Sequence, residues 1–137
     1  MEKKPEIIKP VSFTFKKEER LCSKKIIDRL FAEGDSFLSF PLKVVFVSAG
    51  LNTAFPVQVG FSVGKKNFKR AIKRNRIKRL IREAYRLNKH ELYGQLNDQK
   101  LAVFFIYIGK EIPKYPSIEK AMKKALLTIP KKLEESL

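Results

Sequence analysis

The chain has 137 residues, 30 Lys and Arg against 14 Asp and Glu for a formal net charge of +16, and a hydrophobic share of 44%. That suffices for one domain with a modest core and excludes a wholly disordered chain. A single cysteine, Cys22, and a single histidine, His90, exclude an internal disulfide, a Cys/His zinc site, and Ser-His-Asp or Cys-His catalysis.

Residues 1–12, with Lys3, Lys4, Pro5 and Pro10, read as a flexible basic arm. No apolar signal-peptide core follows the two lysines, so an intracellular, cytoplasmic protein is expected. Residues 13–130 read as a single domain and 131–137 as a tail. Phe13 and Phe15 alternate with Ser12 and Thr14, as in a short extended segment. Ser23 is a suitable N-cap for a helix running to Glu33, with Ile26, Ile27, Leu30 and Phe31 as its apolar stripe and Gly34 as its C′ residue.

Three strands are expected next. In residues 41–48 both alternating sets contain apolar side chains, so both faces should be covered. Residues 56–63 alternate more strictly, and 49–55, with Gly50 and Asn52, suit a hairpin loop. Residues 101–108 form a continuous apolar run that reads as a buried strand; it is far short of the roughly 20 residues of a membrane span. A last helix carries Ile118, Met122, Ala125 and Ile129 on one face and should stop near Pro130.

Between the second and third strands lies the most informative stretch. Residues 65–89 contain twelve Lys and Arg and one acid, Glu83, a net +11. No Gly or Pro interrupts 67–89, Asn67 can cap the start, and Ile77, Leu80, Ile81, Ala84 and Leu87 recur at helical spacing. At 100° per residue Asn75, Arg79, Arg82 and Arg86 fall on the opposite stripe, flanked by Arg74, Arg76 and Lys78. Like charges at i,i+4 destabilise a helix by roughly 0.2–0.5 kcal/mol per pair, a repulsion that vanishes when a polyanion binds. This basic face is the footprint of a nucleic-acid partner. The element order is α-β-β-α-β-α, with the basic helix inside a βαβ unit and a mixed sheet in a two-layer α+β fold.

Other chemistries fit poorly. The G-x-x-x-G-K run from Gly60 to Lys65 lacks the spacing of a P-loop, and Lys66 stands where Ser or Thr would bind Mg²⁺; its glycines are expected to turn the backbone at a strand end. Asp28, Glu33 and Asp35 read as solvated acids near a helix end. No catalytic centre is apparent. Phe13, Phe15, Phe31, Phe37, Phe40 and Phe46 crowd the first third of the chain; most should be core. Exposed aromatics beside a basic helix can nevertheless hold single-stranded RNA by stacking.

Arg74-Asn75-Arg76-Ile77-Lys78-Arg79 followed by Arg82-Glu83 resembles the RNR signature of the bacterial ribonuclease P protein family. The lead-in Val59-Gly60-Phe61-Ser62-Val63-Gly64-Lys65-Lys66, together with Arg20-Leu21, Phe31, Gly34 and Val103-Phe104-Phe105, supports the resemblance over residues 13–128. It implies an α-β-β-α-β-α fold like the second domain of ribosomal protein S5, with a left-handed βαβ crossover where the general rule is right-handed. It also implies a protein cofactor of a ribozyme. The RNA subunit, with Mg²⁺, would remove the 5′ leader of precursor tRNA, and one protein would bind one catalytic RNA, without a membrane. Lys65, Lys66, Arg70, Arg74, Asn75, Arg76, Lys78, Arg79, Arg82 and Arg86 are then the RNA-contact candidates. Phe31, Ile27, Lys43 and Val45 are candidates for a leader cleft between the first helix and the sheet. Ile27 stands where the family often has Phe. No protein metal ligand can be named. The alternative is a structural, ribosomal-type RNA-binding protein without a processing role.

Overall fold

The computed structural model describes residues 14–51, 54–96 and 99–135. A 3₁₀ turn (Lys17–Glu19) leads into α1 (Lys24–Glu33), β1 (Asp35–Ser39), β2 (Leu42–Ser48), β3 (Val57–Val63), α2 (Ala71–Tyr93), β4 (Leu101–Tyr107) and α3 (Tyr115–Glu135). The strands lie in the order β1-β2-β4-β3, antiparallel at the first two pairings and parallel at the third. The α+β class and mixed sheet follow, and β3-α2-β4 is the βαβ unit. Phe13 and the 1–12 arm lie outside the described residues.

Two points of topology differ from the sequence reading. A fourth strand, β1, forms the true hairpin with β2 through Phe40 and Pro41. The 49–55 connection is not a hairpin loop, because β4 lies between β2 and β3. Strand β3 takes its ladder from β4, which returns parallel to it after the helical crossover.

Alternation along the strands builds two apolar clusters. Val44 and Phe46 of β2, Val59 of β3, and Val103 and Phe105 of β4 point to one face, where Ile77 and Ile81 of α2 and Met122 and Ile129 of α3 close over them. On the other face Val45 and Ala102 pack with Leu21, Leu30 and Leu51, so α1 covers part of the back of the sheet. One face of β2 is covered, but the other only in part, where Val45 is buried and Lys43 exposed, because α1 does not reach across the whole back of the sheet.

Helix ends show where local rules hold and where packing overrides them. The Ser23 hydroxyl accepts from the Ile26 amide at 3.3 Å. Gly34 ends α1 at φ −71°, so it supplies no left-handed residue. A Cβ there would overlap the Leu30 carbonyl oxygen and lie 2.9 Å from that of Phe46; close backbone approach is why glycine stands there.

Asn67 does not cap α2. Phe68 is buried with its ring 6.0 Å from that of Tyr107, which holds the chain off the helical path until Ala71. At the other end of the fold α3 runs through Pro130 instead of stopping there. Proline removes one backbone donor, but Ile129 and Pro130 are buried and Leu133 packs on the core, so burial holds the final turns.

Candidate nucleic-acid interface

Helix α2 buries Ile77, Ile81, Ala84, Tyr85, Asn88, Lys89 and Leu92. Leu80 and Leu87, placed on the apolar stripe by spacing, are only half-buried. On the opposite side Asn75, Arg76, Arg79 and Arg82 are exposed and Arg74, Lys78 and Arg86 half-buried, while Lys65, Lys66 and Arg70, also exposed, lie in the segment that leads into the helix. Asn75, Arg76 and Arg79 share a cleft with Ile72, Lys73 and Ile112.

Three of the cations have partners within the protein. Nη1 of Arg74 donates to the carbonyls of Phe68 and Lys69, at 2.8 Å each, and so secures the turn before α2. Arg86 grips Glu83 with two parallel bonds, Nε to Oε1 at 3.0 Å and Nη2 to Oε2 at 2.6 Å. Those bonds hold the Glu83 carboxyl below its ordinary value. Lys89, counted in the basic run, is 2% exposed and ion-paired with the fully buried Glu19, while also donating to the Thr14 carbonyl.

The Glu19 cluster anchors the N-terminal segment. Burial pushes the Glu19 carboxyl up, but bonds from the Lys16 amide (2.8 Å), Lys89 and the Tyr93 hydroxyl (2.6 Å) outweigh it and hold the group below its ordinary value. Next to this clamp the Leu21 amide donates to the Val59 carbonyl at 2.9 Å, and Arg20 bridges to Val59 alongside β3. Arg20 consequently shares a small pocket with Arg82, Arg86, Glu83 and Phe15. Arg20 is absent from the RNA-contact candidates read from the sequence; only the folded path brings it to α2.

On the far side of the sheet the register creates two parallel rows. Ser36, Val45, Phe104 and Gly60 lie side by side across β1, β2, β4 and β3, and Leu38, Lys43, Ile106 and Ser62 form the next row. Helix α1 reaches over the first: Val45 is buried, and the Phe31 ring meets Phe104 edge-on at 5.3 Å. The second row stays open, with Leu38 63% exposed and Lys43 exposed. Ile27, half-buried, packs with the apolar cluster beneath α1, while Phe31 is 51% exposed. Of the four cleft candidates, Phe31 and Lys43 thus present surface, Ile27 is half-buried against the cluster beneath α1 and Val45 is buried. Leu38, Phe104 and Ile106 lie in the same two rows as Val45 and Lys43. Leu38 could not be placed without β1.

Gly60 does not turn the chain at a strand end. It lies inside β3, where a Cβ would overlap the Phe104 ring. Among the described residues no group of three or more His, Cys, Asp or Glu gathers to hold a metal, and no helix is long and apolar enough to cross a membrane.

The family model described as Ribonuclease P matches residues 15–132. The ribonuclease P protein component of Porphyromonas gingivalis (strain ATCC 33277) is 41% identical over 122 residues, 88% of this chain and 89% of that protein. That of Chlorobaculum tepidum is 39% identical over 106 residues, 71% of this chain and 68% of its own. Among solved structures, the RNase P protein of Staphylococcus aureus gives a TM-score of 0.63 at 21% identity, covering 81% of this chain and 94% of that one. The Thermotoga maritima RNase P protein, solved with 1-(4-fluorophenyl)-2-thiourea, gives 0.62 at 24% identity over 78% and 96%. The two structural likenesses speak for the fold.

Proposed function

The chain belongs to the bacterial ribonuclease P protein family, and we propose that its two faces divide the enzyme's RNA between them: α2 takes the catalytic RNA, and the cleft between α1 and the sheet takes the 5′ leader of precursor tRNA. As a ribonuclease P protein component it serves tRNA 5′ maturation, an endonucleolytic cleavage whose catalytic centre lies in the RNA subunit. The observation that carries the division is the placement of an exposed basic helix on one side of the sheet and an open row of Leu38, Lys43 and Ile106 on the other.

In this reading the protein's part is electrostatic and positional. Arg70, Arg76, Arg79 and Arg82, with Lys65 and Lys66, neutralise phosphates of the catalytic RNA and lower the repulsion that a second RNA meets on approach, while Asn75 offers an uncharged hydrogen-bond donor among them. Phe31 and Ile106 offer apolar surface to unstacked leader bases, and Lys43 lies between strands to meet a phosphate. A grip on the leader favours precursor over mature tRNA, since only the precursor carries one. Mg²⁺ supplies the hydrolytic chemistry on the RNA subunit in this proposal. We assign one protein to each catalytic RNA and place the reaction in the cytoplasm.

Cleavage of 5′-labelled precursor tRNA by the catalytic RNA at low Mg²⁺, with and without this protein, tests the proposal. Stimulation at the correct 5′ site, with no cleavage by the protein alone, is expected. Tight RNA binding without stimulation would return the chain to the structural RNA binders.

A further inference from the structure

We propose that the groove between the β1–β2 turn and the start of α3 is a second RNA-contact site, which takes an unpaired nucleotide of the catalytic RNA with its base on Phe40 and its phosphates on Lys110, Lys120 and Lys124. The inference rests on the function above but concerns a surface outside both the basic signature and the α1 cleft.

The groove encloses about 800 Å³. Phe40 stands at its mouth, 74% exposed and part of neither apolar cluster. A lone exposed aromatic needs no explanation, but this one shares its groove with three exposed lysines and a single acid, Glu111. The walls are fixed before anything binds. The Ser39 hydroxyl donates to the Ala121 carbonyl at 2.8 Å and ties the turn to α3. The Tyr107 hydroxyl donates to the Glu111 carbonyl at 2.5 Å and ties down the loop after β4. An aromatic platform ringed by cations suits a stacked base and its flanking phosphates. An apolar protein segment would gain little from three ammonium groups.

Continuity with α2 identifies the occupant. Lys110, Glu111 and Ile112 also wall the neighbouring groove that contains Lys69, Arg70 and Lys73. Ile112 reaches further, into the cleft of Asn75, Arg76 and Arg79. These grooves share their walls in pairs, so a polyanion seated on α2 can follow mainly basic surface to Phe40, passing one acid, Glu111, beside Lys110 in the shared wall.

The chain has no tryptophan, so Phe40→Trp in the full-length protein creates a single reporter at an exposed site. Its emission should be quenched on saturation with the catalytic RNA. Phe40→Ala should weaken RNA affinity by at least about fivefold, the lower end for one stacked base. Lys120→Gln with Lys124→Gln should flatten the slope of log affinity against log salt by about 0.7–0.9 for each phosphate that is no longer neutralised. Unchanged emission at saturation, together with parental affinity for Phe40→Ala, would overturn the inference while leaving the α2 interface standing. Emission that tracks protein concentration but not RNA would overturn it in favour of self-association. Failure of the parent protein to bind the RNA at all would overturn the function and this site together.

Discussion

Lys89 shows how far a charge count can mislead at a single position. In the sequence it is one of twelve cations in a basic run; in the fold it is buried against Glu19, seventy residues away in the chain, and adds nothing to the surface. Replacing Glu19 with Gln leaves the Lys89 ammonium buried without its counter-charge and should destabilise the protein by about 3 kcal/mol in urea unfolding. The pH dependence follows from the depressed folded value. Glu19 stabilises fully above the ordinary carboxylate value of 4.5, and that stabilisation is lost as pH falls through the lower value of the folded state. Glu19→Gln should remove this acid-side loss; an unaltered acid limb would show that Glu19 is not what couples folding to pH. Glu83 acts in the opposite sense. Because it occupies Arg86 in the free protein, Glu83→Gln should strengthen binding to the catalytic RNA and steepen the salt slope by about 0.7–0.9. An unchanged slope would place Arg86 outside the interface.

Among the elements, legibility follows periodicity. Helix α1 and its Ser23 cap, the strong alternation of β3 and the apolar run of β4 appear in the structure within a residue or two of where spacing puts them. Strand β1 is not legible, because Asp35-Ser36-Phe37-Leu38-Ser39 carries little β-branched or alternating signal and forms only by pairing with β2. Helix α2 starts later than its capping signal suggests, because burial of Phe68 is a tertiary event that no capping rule contains. Gly60 belongs to the same class: its reason is an aromatic ring on the neighbouring strand. Gly60→Ala should push Phe104 out of its place beside Phe31 and cost about 1–3 kcal/mol as overpacking. It should also weaken precursor binding, read by thermal unfolding and by affinity for leader-bearing RNA. Parental values in both assays would mean that the Phe104 ring relaxes freely.

For the molecule as a whole, the net charge points to the class of partner, and the arginine-rich signature points to the family. Neither locates surfaces. The separation of a basic helix from an open sheet row depends on strand order and register, which set Leu38, Lys43, Ile106 and Ser62 side by side although they come from four different strands. Arg20 reaches Arg82 and Arg86 only because the N-terminal segment bridges to β3. The basic face is therefore largely legible, and the cleft only in part.

The division of labour between the faces is the central claim, and Phe31→Ala tests it most directly. Phe31 is half exposed, so its loss spares the core. In enzyme reconstituted with the catalytic RNA, equilibrium affinity would be measured for precursor tRNA and for mature tRNA. The variant should lose about fivefold or more for the precursor, the scale of one stacked base, and remain unchanged for the mature product. Equal losses for both, or none for either, would contradict the assignment of the cleft to the leader.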